Sequence, residues 1–275
     1  MSIYLCADDF GLTCESDGHI TECRVNKISV LGNCCGDFSE LAGRISTHIN
    51  LVEGKSVSDK SEVCLLVDEN GYFKHTFFGL LKLSLGKNKK EFKRQIKTEM
   101  LAQIKAINAP EMIDSHQHVH MIPLIFTCLC EIIEEEKLPV KYLRVPAEPI
   151  TPYLSVPALY PDYFSVNLIK QWTLKFFNLF NKKKLKKIGL VQNDFFGIMF
   201  SGNMNEKRVK KLLKAFLKHS EKKNRDLEIL FHPGYIETAE GTEKINGYKF
   251  SRFYLSAGRK REYDAVNTAA SIVGI

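Results

Sequence analysis

No apolar run in the 275 residues approaches the roughly 18 needed to cross a bilayer, so no membrane partner is expected. The nearest candidate, Phe176 to Phe180, is short and gives way to lysines. The opening residues, Met-Ser-Ile-Tyr-Leu-Cys-Ala-Asp-Asp, lack the basic segment and long apolar stretch of a secretory signal. Eight cysteines, at positions 6, 14, 23, 34, 35, 64, 128 and 130, lack the paired spacing of a zinc knuckle or ribbon. The expectation from these absences is free thiols in a reducing cytoplasm. Neither an internal repeat nor a Gly/Ser- or Pro-rich linker interrupts the chain, whose length lies near the upper end for one domain.

What is present supports a folded protein. Hydrophobic residues make up 44% of the sequence, charged residues 26% and aromatics 11%, far from the composition of a disordered chain. The formal charge of +7 comes from grouped lysines, as in Lys182-Lys183-Lys184-Leu185-Lys186-Lys187. A nucleic-acid binder would interleave such a face with exposed aromatics or carry a known module. Neither is visible, so solvated helix faces are expected and no nucleic-acid partner.

Short apolar runs alternate with amphipathic stretches, the pattern of β/α units around a parallel sheet. The predicted strands are Ile3–Ala7, Ile28–Leu31, Thr47–Leu51, Met112–Ile113, Tyr142–Val145, Phe195–Phe200 and Leu227–Phe231, about seven in all. Helical stripes run through Phe92, Ile96, Met100, Ile104 and Ile107, and through Val209, Leu212, Leu213, Phe216 and Leu217. A third helix is predicted to start near Pro123, where proline suits a first turn. Asp68-Glu69-Asn70-Gly71 reads as a turn between two short strands. Residues 54–86 and 149–187 read as excursions that shape a substrate cleft. Trp172, Phe176, Phe177 and Phe180 in the second could cover a homodimer contact, although core packing is the plainer expectation.

Polar groups fall at the ends of these runs. Asp8 and Asp9 follow the first, His48 sits in the third, His116 follows the fourth, Arg144 lies in the fifth and His232 follows the last. In a β/α barrel the strand C-termini converge on one face, so residues more than 220 positions apart could meet there. Carboxylate and imidazole are natural ligands of divalent cations, and a carboxylate beside the cation could serve as general base. The Asp pair divides between these two tasks. Taken singly, an Asp pair after a strand reads as a helix cap, and His48 as a hydrogen-bonded core residue. His232, in Phe231-His232-Pro233-Gly234, reads singly as a turn cap. Asp114-Ser115-His116-Gln117-His118-Val119-His120 is more telling: on an extended chain three alternating histidines share one face and are costly to bury unpartnered. His118 and His120 could support the site from behind, and Asp114 could fix an imidazole tautomer.

These residues resemble the YdjC-like carbohydrate deacetylases, whose members include chitooligosaccharide deacetylases. The matching pieces are Ala7-Asp8-Asp9-Phe10-Gly11-Leu12-Thr13, His48-Ile49-Asn50-Leu51-Val52-Glu53-Gly54-Lys55, Ile113 to His120, Leu143-Arg144-Val145-Pro146, Asp194-Phe195-Phe196-Gly197 and His232-Pro233-Gly234. The resemblance implies one domain over 1–275 with an α/β fold, a distorted TIM-like (β/α) barrel of the glycoside hydrolase and deacetylase type. It implies one divalent metal ion, Mg2+ or Zn2+, held by Asp9, His48 and His116. Asp8 is then the general base and His232 the acid that protonates the leaving amine. Arg144 would orient Asp8 or bind substrate, and the substrate would be a small acetylated sugar that loses its N-acetyl group. Cys14-Glu15-Ser16-Asp17-Gly18-His19 departs from the family's glycine- and asparagine-rich stretch, and Cys34-Cys35 replaces small or apolar residues.

Three rivals remain open. An amidohydrolase or phosphoesterase barrel would place its His-x-His pair on an early strand, whereas here it follows residue 110. A glycosidase would use paired carboxylates but leave the histidines unused. A non-catalytic sugar-binding or nucleic-acid-binding protein with a structural metal would need neither a free base nor an acid.

Overall fold

The computed structural model describes residues 1–34 and 38–275, so Cys35 lies outside the described residues. Seven parallel strands form one curled sheet: β1 (Ile3–Phe10), β2 (Lys27–Leu31), β3 (Ile45–Ile49), β4 (Met112–Ser115), β5 (Tyr142–Leu143), β6 (Asp194–Phe196) and β7 (Leu227–Phe231). Their order is β5-β4-β3-β2-β1-β7-β6. A closed barrel would pair β5 with β6, and no such ladder exists among the described residues. The seam is bridged by a side chain instead: Asn193 Oδ1 accepts from Val145 N–H at 3.0 Å while its Nδ2 donates to Asp194 O. The expected distorted barrel is therefore a half-barrel held at its gap by an amide.

Ten helices cover the outside of the described sheet: α1 (Cys14–Glu22), α2 (Phe77–Leu85), α3 (Lys89–Ile107), α4 (Pro123–Glu135), α5 (Thr151–Leu154), α6 (Val166–Lys187), α7 (Glu206–Lys223), α8 (Ala239–Ile245), α9 (Ser251–Tyr254) and α10 (Ala257–Val273). α4 opens on Pro123 as expected, α3 buries its predicted stripe, and α7 buries Val209, Leu212, Leu213 and Phe216 with Leu217 half-buried. Turn 68–71 sits between two isolated antiparallel bridges, Val67 with Phe73 and Lys55 with Tyr72, rather than between full strands. β6 is shorter than its apolar run because Gly197 turns the chain at φ 141°, where an added Cβ would lie 2.8 Å from Leu230 O. Only glycine fits there.

The strands are buried on both faces, but the faces differ chemically. Outward residues such as Leu5, Ile28, Ile113 and Ile229 join two apolar clusters under the helices. Most inward residues at period two are polar: Cys6 and Asp8, Lys27 and Ser29, Ser46 and His48, Asp114, Tyr142 and Arg144, and Glu228 and His232 with the apolar Leu230 between them. Lys27 Nζ binds Asp114 at 2.5 Å and Glu228 at 2.7 Å, and Tyr142 Oη donates to Glu228 at 2.6 Å. Burial disfavours the Lys27 charge, yet Asp114 and Glu228 outweigh it and keep the ammonium protonated. The barrel interior is thus an ion network that rises into the site.

Candidate metal centre and active site

Asp8 and Asp9 lie inside β1 rather than after it, and adjacent strand residues normally face opposite ways. The β1–β2 register shifts between Ala7 and Phe10, and Asp9 adopts a left-handed φ of 72°. This bulge turns Asp9 to the same side as Asp8. A non-glycine residue there costs of order 1 kcal/mol or more, the kind of strain found at functional sites.

His48 and Asp114 are register partners on β3 and β4, which sets His48 Nδ1 2.5 Å from Asp114 Oδ1. Asp114 therefore fixes the imidazole, as its position suggested, and leaves Nε2 pointing at the carboxylates. That Nε2 is buried without a hydrogen-bond partner, 3.5 Å from Asp9 Oδ1 and 3.9 Å from Asp8 Oδ2. His116 follows β4 with Nδ1 2.8 Å from Asp9 Oδ1. One ligand atom each from Asp9, His48 and His116 lies within 4.8 Å of the others. One carboxylate and two imidazoles with an orphaned nitrogen fit a divalent cation.

The protonation states point the same way. Burial lowers the His48 pKa, but Asp8 and Asp114 reverse this and push it up to about 9. His116 is likewise raised, burial being outweighed by Asp9. In the metal-free protein the His48 ring therefore holds a proton where a cation would sit. Inside the barrel the three carboxylates of Asp8, Asp114 and Glu228 face Lys27, Arg144 and the protonated His48, so the charges balance until His48 gives up its proton.

A second cluster, Cys6, Asp8 and Asp114, has similar spacing. Arg144 and Lys27 already neutralise it, and burial raises the Cys6 pKa well above its ordinary value, which keeps the thiol protonated. It offers no room for a metal.

Asp8 stands beside the triad. Arg144 grips both its oxygens, Nη1 to Oδ2 at 2.7 Å and Nη2 to Oδ1 at 2.8 Å. Burial raises the Asp8 pKa, but Arg144 and His48 together lower it, so the carboxylate stays ionised. Arg144 itself is wholly buried and also binds Glu228. Of its two expected roles, the geometry provides the orientation of Asp8 and leaves no surface for a substrate.

The expected row of three histidines on an extended chain does not form. Residues His116–Met121 make a short 3-10 turn in which Gln117 and His118 have left-handed φ values of 52° and 57°. His118 packs edge-on to Phe195, and its Nδ1 has no partner. His120 joins Ser115 Oγ at 2.5 Å and Arg144 O at 2.9 Å. Burial lowers both pKa values, His120 to about 4, so both rings are neutral supports.

His232 closes β7 at the mouth, 9% exposed. Its N–H donates to Glu262 Oε2 at 2.6 Å, and its Nδ1 lies 3.3 Å from the same oxygen. Four partners went unseen in the sequence: Glu262; Arg259, which binds Asp9 Oδ2; and the pair Tyr254 and Glu53 behind His116. His116 Nε2 lies 3.0 Å from Tyr254 Oη, which in turn donates to Glu53. A signal did exist for two of them. Arg259 and Glu262 share the spacing of the buried Ala265, Val266, Ala269 and Ala270 on α10, and charges on a core stripe demand partners.

Fold and site together define a class: a parallel β/α half-barrel with a carboxylate–imidazole cluster at the strand ends that could hold a cation. The family model described as YdjC-like protein matches residues 2–270, and the chain belongs to that family. It is 30% identical over 165 residues to a carbohydrate deacetylase of Xenopus laevis, covering 54% of this chain and 52% of that protein. It is 25% identical over 265 residues to a carbohydrate deacetylase of Oceanobacillus iheyensis, covering 92% and 93%. The chain spans about half the length of the first curated relatives it matches. An Enterococcus faecalis V583 crystal structure, of a protein named for cellobiose-phosphate cleavage, superposes with a TM-score of 0.64 at 19% identity, over 100% of this chain and 95% of that one. That likeness bears on the fold.

Proposed function

We propose that the protein is a metal-dependent carbohydrate deacetylase that removes the N-acetyl group from an acetylated amino sugar or short oligosaccharide. The observation that carries the reading is the partnerless His48 Nε2, buried 3.5 Å from Asp9 Oδ1 with an ionised Asp8 alongside. The relatives named carbohydrate deacetylase supply the substrate class.

Asp9, His48 and His116 would hold one divalent cation, Mg2+ or Zn2+. When bound, that cation supplies Lewis-acid polarisation of the acetyl carbonyl and eases deprotonation of water. Asp8, ionised and fixed by Arg144, accepts the proton of the attacking water. The water oxygen joins the acyl carbon, and the C–N bond breaks. His232, held by Glu262, gives the departing nitrogen its proton, so that acetate and a free amine leave. Arg259 and the Tyr254–Glu53 pair keep Asp9 and His116 aimed. Cys6, Cys14, Cys23, Cys64, Cys128 and Cys130 are free thiols, which supports the expected cytoplasmic location.

The test is acetate release from N-acetylglucosamine, its short β-linked oligomers and their phosphorylated forms. Activity should vanish with chelator and return with added metal. Asp8→Asn should bind metal yet lose about 10²- to 10⁴-fold in turnover. Unchanged turnover would remove Asp8 from the mechanism.

A further inference from the structure

α6 buries Gln171, Leu174, Phe177, Asn181 and Leu185 against the fold. The opposite face is also apolar. Val166 is 82% exposed, Ile169 68%, Trp172 55%, Phe176 55%, Leu179 58% and Phe180 51%. Val166, Ile169, Trp172, Phe176 and Leu179 recur every three to four residues, and Phe180 lies four after Phe176, so the six form one continuous outward stripe. Phe77 of α2 stacks on Phe177, and this brings the 72% exposed Phe78 beside that helix. A contiguous exposed patch of this kind marks a surface that meets something apolar.

Charge selects the occupant. The 22 residues of α6 hold seven lysines and no acidic residue. Lys187 pairs with Glu134 and Lys184 turns inward to Thr127, but Lys182, Lys183 and Lys186 are exposed without an acidic partner. Lys182 and Lys186 also line a cavity of 470 Å³ with Lys223, with Asp226, and with Lys141 and Arg225, which pair with Glu111 and Asp194. The apolar stripe therefore runs into a basic end with a headgroup-sized basic recess on its flank. A protein partner, including a second copy of this chain, would have to answer the lysines with acidic groups, and α6 offers none.

We propose that α6 is a docking face for an anionic lipid surface. The helix lies in the plane of the interface, its aromatic stripe among the upper acyl chains and Lys182, Lys183 and Lys186 among headgroup phosphates. No described helix is long and apolar enough to cross a membrane, so this is contact with one leaflet.

Trp172 is the sole tryptophan of the chain and sits in the stripe, so its fluorescence reports the event directly. The full chain is mixed with vesicles of phosphatidylcholine plus phosphatidylglycerol and with phosphatidylcholine alone, and followed by emission and co-sedimentation. Expected are a blue shift and pelleting with the anionic vesicles only, both weakening with salt. Ile169→Ser/Phe176→Ser/Phe180→Ser should lose about tenfold or more in affinity. Lys182→Gln/Lys183→Gln/Lys186→Gln should lose about fivefold per lysine. All six positions are exposed, so folding should persist, and the lysine variant, at least 12 residues along α6 from Lys170, whose charge feels Asp8 and Asp9, should keep its acetate release. Absence of pelleting, or equal binding to neutral vesicles, overturns the proposal. So does a lipid-free dimer in sedimentation velocity that the serine variant abolishes, which would make the stripe a self-association face.

Discussion

The His116 ring is held from two sides. Asp9 lies at Nδ1, while Nε2 meets Tyr254 Oη, whose own proton goes to Glu53. Burial together with Asp9 and Glu53 raises the Tyr254 pKa well above the phenolic range, so the hydroxyl remains a donor. Such a chain leaves Nδ1 as the lone-pair nitrogen when Nε2 carries the hydrogen, the tautomer a metal at Nδ1 requires. Tyr254→Phe is expected to weaken metal affinity about 10- to 100-fold and, by stranding the buried Glu53 and His116 Nε2, to cost the metal-free protein about 1–3 kcal/mol. Titration calorimetry with Zn2+ beside a melting curve checks this. Unaltered affinity would make Tyr254 a packing residue. Asp8, Asp9, His48, His116 and His232 were legible in the sequence because each ends or interrupts an apolar run. Tyr254 and Glu53 were not, because an aromatic and a loop glutamate are ordinary on any surface until the fold buries them.

Among the elements, the strands carry the argument. The sequence suggests apolar strands with polar ends, whereas the polar character runs down most of the inward face, from Lys27 and Glu228 to Asp8 and Arg144. The two signals were present: Glu228 interrupts Leu227–Phe231, and Lys27 opens β2. Each reads singly as a solvent-facing residue, but a parallel sheet covered by helices has no solvent face. Removing one partner of such a buried network strands the others, so Lys27→Met should cost about 3–5 kcal/mol. Urea denaturation with unchanged m-value checks this, and a loss below 1 kcal/mol would show that Arg144 alone suffices. Pattern also misjudged the histidine segment. Alternation fitted a strand, but β4 ends at Ser115, and two left-handed residues coil the chain back towards the barrel. Period-two spacing cannot tell a short strand followed by a tight turn from a longer strand.

At the scale of the molecule, metal, protons and stability are linked. The His48 pKa of about 9 and the raised His116 pKa belong to the metal-free protein, so below that range a cation must displace protons. Metal affinity should therefore rise with pH, about tenfold per unit for each proton released, and level off above about pH 9. Calorimetry at stepped pH checks the slope, and a flat profile would mean that neither ring is a ligand. At a hundredfold excess over its Kd the cation adds about 2.7 kcal/mol, so chelation should lower Tm by several degrees. The sequence by itself determined the parallel β/α architecture and the chemical types of the candidate ligands. Both are local properties, of apolar periodicity and of a polar residue placed where a strand must stop. Only the tertiary structure decided that the barrel stays open at an Asn193 seam, that Asp9 turns beside Asp8, and that Tyr254, Arg259 and Glu262 close around them. Those depend on which distant segments share a buried space, and burial turns an unremarkable polar side chain into one that must find a partner.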